Sequence, residues 1–277
     1  MKNFKNKVVV ITGAASGMGR SYATLFAKLG SKVAICDYDE KGLKETEVLT
    51  QQAGAPAVLA VKVDVSSKAA IYAFAEQVKS TLGNAHVIIN NAGVAGGGQP
   101  VWAIEDSEYE RVMAINFWGV LHGTRAFLPQ LIANKEGAVV NVSSIFGLVG
   151  TPSNSDYCAS KFAVRGFTES LMVELASTKI QVHLVHPGGI NTNIASKEGG
   201  EEFAKKFLTT PPDEICEFVL TCIKKNEPRI VYGNNAARVW NASRFVPFKF
   251  MRHILWKQMG YTMPQEQYKK VNEALKK

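Results

Sequence analysis

Cysteine is scarce in this sequence, with 4 residues in 277 and no C-x-x-C pair. So few cysteines cannot form the disulfide framework of a small secreted scaffold. Their spacing, without a histidine cluster nearby, also matches neither a zinc site nor a thioredoxin-type redox motif. We therefore expect reduced cysteines that pack in the interior, and no metal site.

Long apolar runs are absent as well. The first apolar stretch, Val8–Ile11, is too short for the core of a signal peptide, and no run approaches the roughly 18 apolar residues of a membrane span. Glycine is frequent but follows no G-X-Y period, which excludes a collagen-like chain. With 46% apolar and 20% charged residues, the sequence predicts a folded, soluble, cytoplasmic protein.

Acidic residues are nearly absent from the end of the chain. Residues 234–277 contain nine Lys and Arg but two Glu, so they carry +7 of the net charge of +8. The remainder of the chain is almost neutral. The basic character therefore belongs to a tail, and binding of nucleic acid is not indicated.

Short runs rich in β-branched residues alternate with segments of helical length. The predicted strands are Val8–Ile11, Lys32–Cys36, Val58–Val63, Val87–Ile89, Ala138–Val142, Ile180–Val185 and Ile230–Tyr232. The predicted helices cover residues 18–29, 40–53, 67–82, 106–134, 156–178 and 212–226. This alternation predicts right-handed βαβ crossovers and a parallel sheet with helices on both faces. We expect one doubly wound α/β domain over residues 1–233, followed by a C-terminal extension over residues 234–277.

A glycine-rich loop joins the first predicted strand to the first predicted helix, with Gly13, Gly17 and Gly19 at positions i, i+4 and i+6. Glycines let the backbone turn tightly and approach a pyrophosphate, and the N-terminus of the following helix offers free N–H groups. The loop, with Ser16 and Met18, therefore predicts a dinucleotide site. The alternative is a glycine-rich turn without a ligand, which a glycine cluster alone does not exclude.

Asp37 ends the second predicted strand, 18 residues after Gly19. An acid at about 20 residues from such a loop accepts hydrogen bonds from the adenosine ribose of NAD. The 2′-phosphate of NADP would be repelled by this carboxylate, and neither Ser16 nor Tyr38 supplies a compensating cation. We therefore expect NAD(H) rather than NADP(H); the alternative for Asp37 is a solvated acid at a strand end.

A candidate catalytic group follows in the second half of the chain. Tyr157 and Lys161 are spaced i, i+4, so they share one face of a predicted helix. Ser144 lies 13 residues before Tyr157, just past a predicted strand. A lone Y-x-x-x-K pair is common and can simply be a surface pair on a helix, so its context decides its meaning.

With these motifs in place, the chain resembles the short-chain dehydrogenase/reductase family over about residues 7–233. The resemblance begins with the T-G-x-x-x-G-x-G loop at residues 12–19. Further matching motifs follow in the same chain order: Asp64-Val65, Asn90-Asn91-Ala92-Gly93, Asn116, Ser143-Ser144, Tyr157 with Lys161, and Pro187-Gly188 with Thr192. The resemblance implies a Rossmann-type fold and a nicotinamide-dependent oxidoreductase with a small-molecule substrate. We also expect a homodimer or homotetramer.

The resemblance also implies roles for single residues. Its catalytic set is Asn116, Ser144, Tyr157 and Lys161, in which Asn116 positions a water that links Lys161 to solvent. Besides the glycine loop and Asp37, it implies cofactor contacts from residues that follow the strands and from the catalytic helix. These are Asp64, Val65, Asn91, Ala92, Gly93, Tyr157, Lys161, Pro187, Gly188, Ile190 and Thr192.

The chemistry of alcohol oxidation agrees with this set. A free tyrosine has a pKa of about 10. We expect the Lys161 ammonium and the cationic nicotinamide ring to lower the pKa of Tyr157 so that it can serve as the base. Ser144 would stabilise the substrate oxygen. The expected reaction interconverts a secondary alcohol and a ketone, with an apolar carbonyl compound or a hydroxysteroid-like molecule as substrate. The competing hypothesis is a dinucleotide-sensing protein without turnover.

The substrate side and the tail leave alternatives open. Apolar side chains in 94–102 and 145–155 favour an apolar pocket, and we expect the lysines of 193–210 to face solvent on a mobile lid. For the tail, three interpretations remain: a helix that packs on the core or an oligomer interface, a cover over the pocket, and a membrane-surface helix. A helical wheel of residues 248–259 clusters Lys249, His253 and Lys257 opposite an apolar set of Phe250, Met251, Ile254 and Leu255.

Overall fold

Parallel strands form the centre of the molecule. The computed structural model describes residues 1–192, 194, 201–262 and 264–275. Within these residues there are seven strands in one sheet, in the order β3-β2-β1-β4-β5-β6-β7. They are β1 Val8–Thr12, β2 Lys32–Asp37, β3 Val58–Lys62, β4 Val87–Asn90, β5 Gly137–Val142, β6 Ile180–Pro187 and β7 Arg229–Tyr232. The predicted doubly wound sheet is confirmed.

Helices connect the strands and cover both faces of the sheet. They are α1 Gly17–Lys28, α2 Glu40–Gln52, α3 Lys68–Leu82, α4 Asp106–Met113, α5 Gly119–Ala133, α6 Ser155–Glu174, α7 Glu201–Phe207, α8 Pro212–Lys225, α9 Ala236–Phe245, α10 Phe248–Met259 and α11 Gln265–Ala274. Side chains fix several of their beginnings: Asp39 accepts hydrogen bonds from the backbone of the first turn of α2, and Ser67 does the same for α3. None of the described helices is long and apolar enough to cross a membrane.

The strands are buried on both faces because their side chains alternate between two apolar layers. Val9 and Ile11 of β1 pack into one layer with Phe26 of α1, and Val8 and Val10 pack into the other layer with Phe127 of α5. This explains why the strands are nearly continuous apolar runs in the sequence. The chain order reverses between β1 and β4, and in open α/β sheets such a reversal opens a crevice at the carboxyl ends of the strands.

The prediction of one continuous helix over residues 106–134 is wrong in one detail. A π-helical turn, Ala114–Trp118, separates α4 from α5. Such a turn adds a residue to the helical repeat and often lies at a functional site. Here it contains the fully buried Asn116. The side-chain oxygen of Asn116 accepts a hydrogen bond from the Val94 N–H, and its side-chain nitrogen donates one to the Val94 carbonyl oxygen. The hydrophobic period of the sequence cannot show this local change of winding.

Candidate active site

The glycine-rich loop is shaped for a close approach of backbone. Gly13 and Gly17 have positive φ angles of 67° and 52°, which side chains disfavour. A Cβ atom at Gly13 would lie 2.6 Å from the Cα of Ala92, and one at Gly19 would lie 2.0 Å from the carbonyl oxygen of Gly13. Ser16 precedes α1 without capping it through its side chain. The first N–H groups of α1 therefore remain suited to a pyrophosphate.

Asp37 stands beside this loop at the end of β2. Its Oδ2 accepts a hydrogen bond from the Ala15 N–H at 2.8 Å, and its Oδ1 accepts one from the Asp39 N–H at 2.9 Å. The carboxylate is thus fixed against the loop rather than free in solvent, which fits a role at an adenosine ribose. Lys62, a cation that the sequence analysis did not weigh, is opposite Asp37 on β3, where its ammonium pairs with Glu40.

The end of β4 supports the loop from the other side. The Asn91 amide donates hydrogen bonds to the carbonyl oxygens of Thr12 and Gly13, both at 3.0 Å. The Thr12 hydroxyl accepts hydrogen bonds from the Asn91 and Ala92 N–H groups, both at 3.1 Å. The side chain of Asn91 therefore stabilises the loop. We expect any cofactor contact at this point to come from the backbone of Ala92 and Gly93.

Ser144, Tyr157 and Lys161 meet at the carboxyl edge of the sheet. The Ser144 hydroxyl lies close enough to the Tyr157 hydroxyl to act against the rise in its pKa. The Lys161 ammonium lies 5.6 Å from the centre of the Tyr157 ring and donates a hydrogen bond to the Val142 carbonyl oxygen at 3.2 Å. The i, i+4 spacing on α6 thus brings the two side chains together as predicted.

The pKa values of this group differ from the simple expectation. Desolvation raises the pKa of Tyr157 to about 12, and the Ser144 hydroxyl opposes this only in part. Burial also lowers the pKa of Lys161 to about 8. In the protein alone, desolvation therefore outweighs the charge of Lys161; the expected lowering of the Tyr157 pKa also involves the cationic nicotinamide ring. A protonated tyrosine beside a readily titrated lysine is suited to donating a proton at neutral pH.

Asn116 and Gly93 lie next to this group. A Cβ atom at Gly93 would lie 3.2 Å from Asn116 Oδ1 and 3.3 Å from Lys161 Nζ. Asn116 also donates a hydrogen bond to the Ser160 hydroxyl at 3.1 Å. The backbone at Gly93 therefore passes close to the lysine, and a side chain at this position would push against Asn116 and Lys161.

The remaining predicted cofactor residues lie around the same edge. After β6, a Cβ atom at Gly188 would lie 2.3 Å from the Asn234 carbonyl oxygen, and Ile190 is buried. The methyl group of Thr192 approaches the glycine loop, 3.0 Å from where a Cβ of Gly17 would lie. After β3, Asp64 is exposed and accepts hydrogen bonds from Ser66. No cluster of metal-ligating side chains occurs among the residues that the structure describes.

Two positioning residues were missed by the sequence analysis. The Asp156 carboxylate is fully buried, and it accepts hydrogen bonds from the Gly97 N–H at 2.7 Å and the Tyr157 N–H at 2.8 Å. It therefore joins the segment after β4 to the start of α6. His186 Nδ1 donates a hydrogen bond to the Ser144 carbonyl oxygen at 2.8 Å. The only signal in the sequence is that Asp156 directly precedes Tyr157.

The substrate side is lined by the segments that follow β4 and β5. Leu148 and Val149 are buried there, and Phe146 packs edge-on against Tyr157 with ring centres 6.2 Å apart. Of the predicted lid, Asn193 and residues 195–200, with Lys197, lie outside the described residues. The Lys206 ammonium lies 4.9 Å from the centre of the Tyr261 ring, so this lysine contacts the tail.

The sequence matches a known family of proteins over most of its length. A family model described as short chain dehydrogenase matches residues 7–202. The chain belongs to the short-chain dehydrogenase/reductase family. Members of this family are oxidoreductases that use nicotinamide dinucleotides and act on small molecules.

Relatives of this dehydrogenase/reductase align with most of the length of the chain. SadH of Mycobacterium tuberculosis, an oxidoreductase by name, is 39% identical over 266 residues, 92% of this chain and 96% of the relative. Epidermal retinol dehydrogenase 2 of Homo sapiens is 41% identical over 196 residues, 70% of this chain and 63% of the relative. A short-chain dehydrogenase/reductase of Burkholderia phymatum in complex with NAD superimposes with a TM-score of 0.81 at 30% identity, covering 88% of this chain and 94% of that one.

We predict that Asp156→Ala selectively weakens substrate binding by this dehydrogenase/reductase. The change leaves the Gly97 N–H without its hydrogen-bond partner, so the segment that borders the substrate is positioned less well. Misplacement of this kind can cost up to about 10²-fold, which we expect as a rise in KM for a ketone. NADH affinity should be unchanged, since Asp156 contacts no part of the glycine loop. Steady-state kinetics and NADH fluorescence titration measure the two effects. Asp106→Ala, the same change in the exposed first turn of α4, is the matched control, and an equal rise in KM in both variants would refute the role.

Proposed function

We propose that this protein is an NAD(H)-dependent oxidoreductase that interconverts a secondary alcohol and a ketone. The observation that carries the proposal is the arrangement of Ser144, Tyr157 and Lys161 at the carboxyl edge of the sheet, next to the glycine loop. The Ser144 hydroxyl is near enough to the Tyr157 hydroxyl to affect its pKa, so one substrate oxygen can contact both. The family membership supports the same class of reaction.

The chain's own residues supply the proton and hold the substrate. NAD(H), when bound, supplies or accepts the hydride at the carbinol carbon. In reduction, Tyr157 donates its hydroxyl proton to the carbonyl oxygen while Ser144 donates a hydrogen bond to that oxygen. The positive charge of Lys161 stabilises the phenolate that remains on Tyr157. In oxidation the phenolate oxygen of Tyr157 receives the alcohol proton, which regenerates the hydroxyl. Asn116 fixes the backbone at Val94 beside this group.

The preference for NAD(H) rests on the fixed carboxylate of Asp37. Both of its oxygens are held by backbone N–H groups, so the carboxylate cannot easily turn away from an added 2′-phosphate. The nearby Arg20 does not offset this charge, because its guanidinium binds Glu45 and the carbonyl oxygens of Ala15 and Gly42. Solved structures similar to this chain include two with NAD and one with an NADP derivative, so the proposed preference rests on Asp37.

We expect Asp37→Asn to raise the ratio of kcat/KM with NADPH to kcat/KM with NADH by about tenfold or more, because it removes a nearby like charge. Tyr38→Arg in addition should raise the ratio further, since Tyr38 is 72% exposed and a cation there can reach a phosphate. Asp39→Asn is the matched control, because asparagine also caps a helix. A wild-type enzyme that already prefers NADPH would contradict this account of Asp37.

The proposed substrate is an apolar carbonyl compound or a hydroxysteroid-like alcohol. The segments 94–102 and 145–155 contain no charged residue, and Phe146, Leu148 and Val149 place apolar surface beside Tyr157. One relative is named a retinol dehydrogenase, which is an enzyme of an apolar alcohol. We further propose a homodimer or homotetramer in the cytoplasm, as oligomers are usual in this family.

The test is oxidation of NADH in the presence of a panel of ketones, aldehydes and sugars. We expect turnover with apolar ketones and little with sugars or strongly anionic carbonyl compounds. Binding of NADH without turnover on any member of the panel would instead support a dinucleotide-sensing protein. Preference for an aldehyde or a sugar would contradict the proposed substrate class but not the oxidoreductase.

A further inference from the structure

The corner between α9 and α10 presents aromatic side chains that nothing covers in the described chain. Phe245 ends α9 and Phe248 begins α10, and these side chains are 75% and 72% exposed. Phe250, in the first turn of α10, is 54% exposed. Single exposed apolar residues are ordinary on a soluble protein, but a contiguous group of large ones marks an interaction surface.

The buried and exposed faces of α10 in the structure differ from those that the helical wheel predicts. Met251 and Met259 are buried and Leu255 is half-buried, so these residues form the inward face. Phe250 and Ile254, which the wheel placed with them, are exposed together at i, i+4. The packing of α10 on the protein therefore does not require its exposed aromatic residues. Their apolar surface is left for another partner.

Cations without acidic partners surround this corner. Residues 234–265 contain Arg238, Arg244, Lys249, Arg252 and Lys257 but neither Asp nor Glu. The ion pairs found between described residues involve none of these five. Instead, the Arg244 guanidinium lies 5.5 Å from the Phe245 ring centre, and the Lys249 ammonium lies 4.9 Å from that of Phe250. The charges therefore border the aromatic surface.

We propose that this aromatic–basic corner, formed by Arg244, Phe245, Phe248, Lys249 and Phe250, binds the surface of an anionic phospholipid membrane. The phenylalanines would enter the boundary between headgroups and acyl chains, and the cations would meet the lipid phosphates and carboxylates. A second copy of the chain fits less well. A two-fold contact between identical corners would bring like charges together without an acid to offset them.

The position of the corner connects membrane binding to the substrate side. Trp256 of α10 stacks on Tyr268 of α11 with ring centres 5.0 Å apart, and Tyr268 lies 6.0 Å from Trp102. Trp102 belongs to the segment that Asp156 anchors beside Tyr157. A membrane bound at α10 would thus lie near the route by which an apolar substrate reaches the site.

Sedimentation of the full chain with vesicles tests the proposal. We expect pelleting with vesicles of phosphatidylcholine and phosphatidylserine in equal parts, little with phosphatidylcholine alone, and a decrease as salt is raised. Arg244→Gln with Lys249→Gln should lower the partition coefficient about 30-fold, from about 1 kcal/mol for each cation. Phe245→Ser with Phe248→Ser should lower it at least about tenfold.

Matched controls distinguish binding through this corner from nonspecific adsorption of the protein to vesicles. Val173→Ser removes an equally exposed apolar side chain on α6, and Lys224→Gln with Lys225→Gln removes two exposed cations from α8. Both controls should pellet as the wild type does, and circular dichroism melting should show that all variants fold. The proposal is overturned if the wild type does not pellet, or if corner and control variants pellet alike. It is also overturned if the corner variants dissociate an oligomer in light scattering, or if duplex DNA binds the corner and phosphatidylserine vesicles do not.

Discussion

Tyr157→Phe should reduce ketone reduction by about 10²–10⁴-fold, the usual contribution of a positioned acid or base, while NADH still binds. The phenylalanine ring keeps the edge-on contact with Phe146 and its place above Lys161. The substitution therefore removes the proton donor and little else. Steady-state kinetics and NADH fluorescence titration measure turnover and binding separately.

Tyr72→Phe on α3 is the matched control for this prediction, since it removes the hydroxyl of a half-buried tyrosine whose ring contacts Lys68 and not the candidate catalytic group. It should leave turnover unchanged. Near-normal turnover in Tyr157→Phe, with the same melting temperature as the wild type, would show that Tyr157 is not the acid.

Lys161→Met should lower turnover by about 10²–10³-fold, as the loss of one preorganised electrostatic group typically does. Methionine is of similar length but carries no charge, so the phenolate formed on Tyr157 loses its stabilising cation. The variant should melt at the same or a higher temperature, because a buried charge without an acidic partner is costly to the folded state. Lys79→Met, on the exposed side of α3, should change neither property. A Lys161→Met variant with wild-type turnover would contradict the role of this cation.

The pH dependence gives an independent test of Lys161. Burial lowers the pKa of Lys161 to about 8, so the ammonium is charged below this pH and neutral above it. The reduction rate should therefore be steady near neutral pH and fall as the pH rises through about 8. In Lys161→Met this fall should disappear. The same profile in both proteins would show that another group titrates.

Much of the fold was predictable because buried parallel strands and their crossover helices leave strong patterns. The strands β2, β3 and β4 begin at Lys32, Val58 and Val87, which are the residues predicted from the sequence. Part of the candidate site was predictable for the same reason, since Gly13 and Ser144 follow strands and parallel strands bring their carboxyl ends to one edge. Tyr157 and Lys161 were predicted instead from their i, i+4 spacing on one helix and from the family resemblance.

Contacts between distant parts of the chain were not predictable. Asp156 reaches Gly97 across 59 residues, and His186 reaches Ser144 across 42 residues. Neither contact produces a pattern along the sequence. The raised pKa of Tyr157 in the protein alone was not predictable for a related reason, because spacing indicates that Lys161 is near but not how strongly the surroundings desolvate both groups.

The faces of the tail helix were also only partly predictable. A helical wheel places residues around an axis but does not show which arc meets the protein. Met251 and Leu255 turn inward, while Phe250 and Ile254 of the same apolar set turn outward. The difference decides whether these aromatic residues stabilise the fold or remain available to a partner.

The most direct test of the account follows the hydride itself. The full-length enzyme is incubated with an apolar ketone and NADH that carries deuterium at the transferring carbon of the nicotinamide ring, and the product is examined by mass spectrometry and NMR. The account predicts a secondary alcohol with deuterium on its carbinol carbon, formed by the wild type and greatly reduced in Tyr157→Phe. If NADH binds but no ketone in the panel acquires deuterium, the protein is not the alcohol–ketone oxidoreductase proposed.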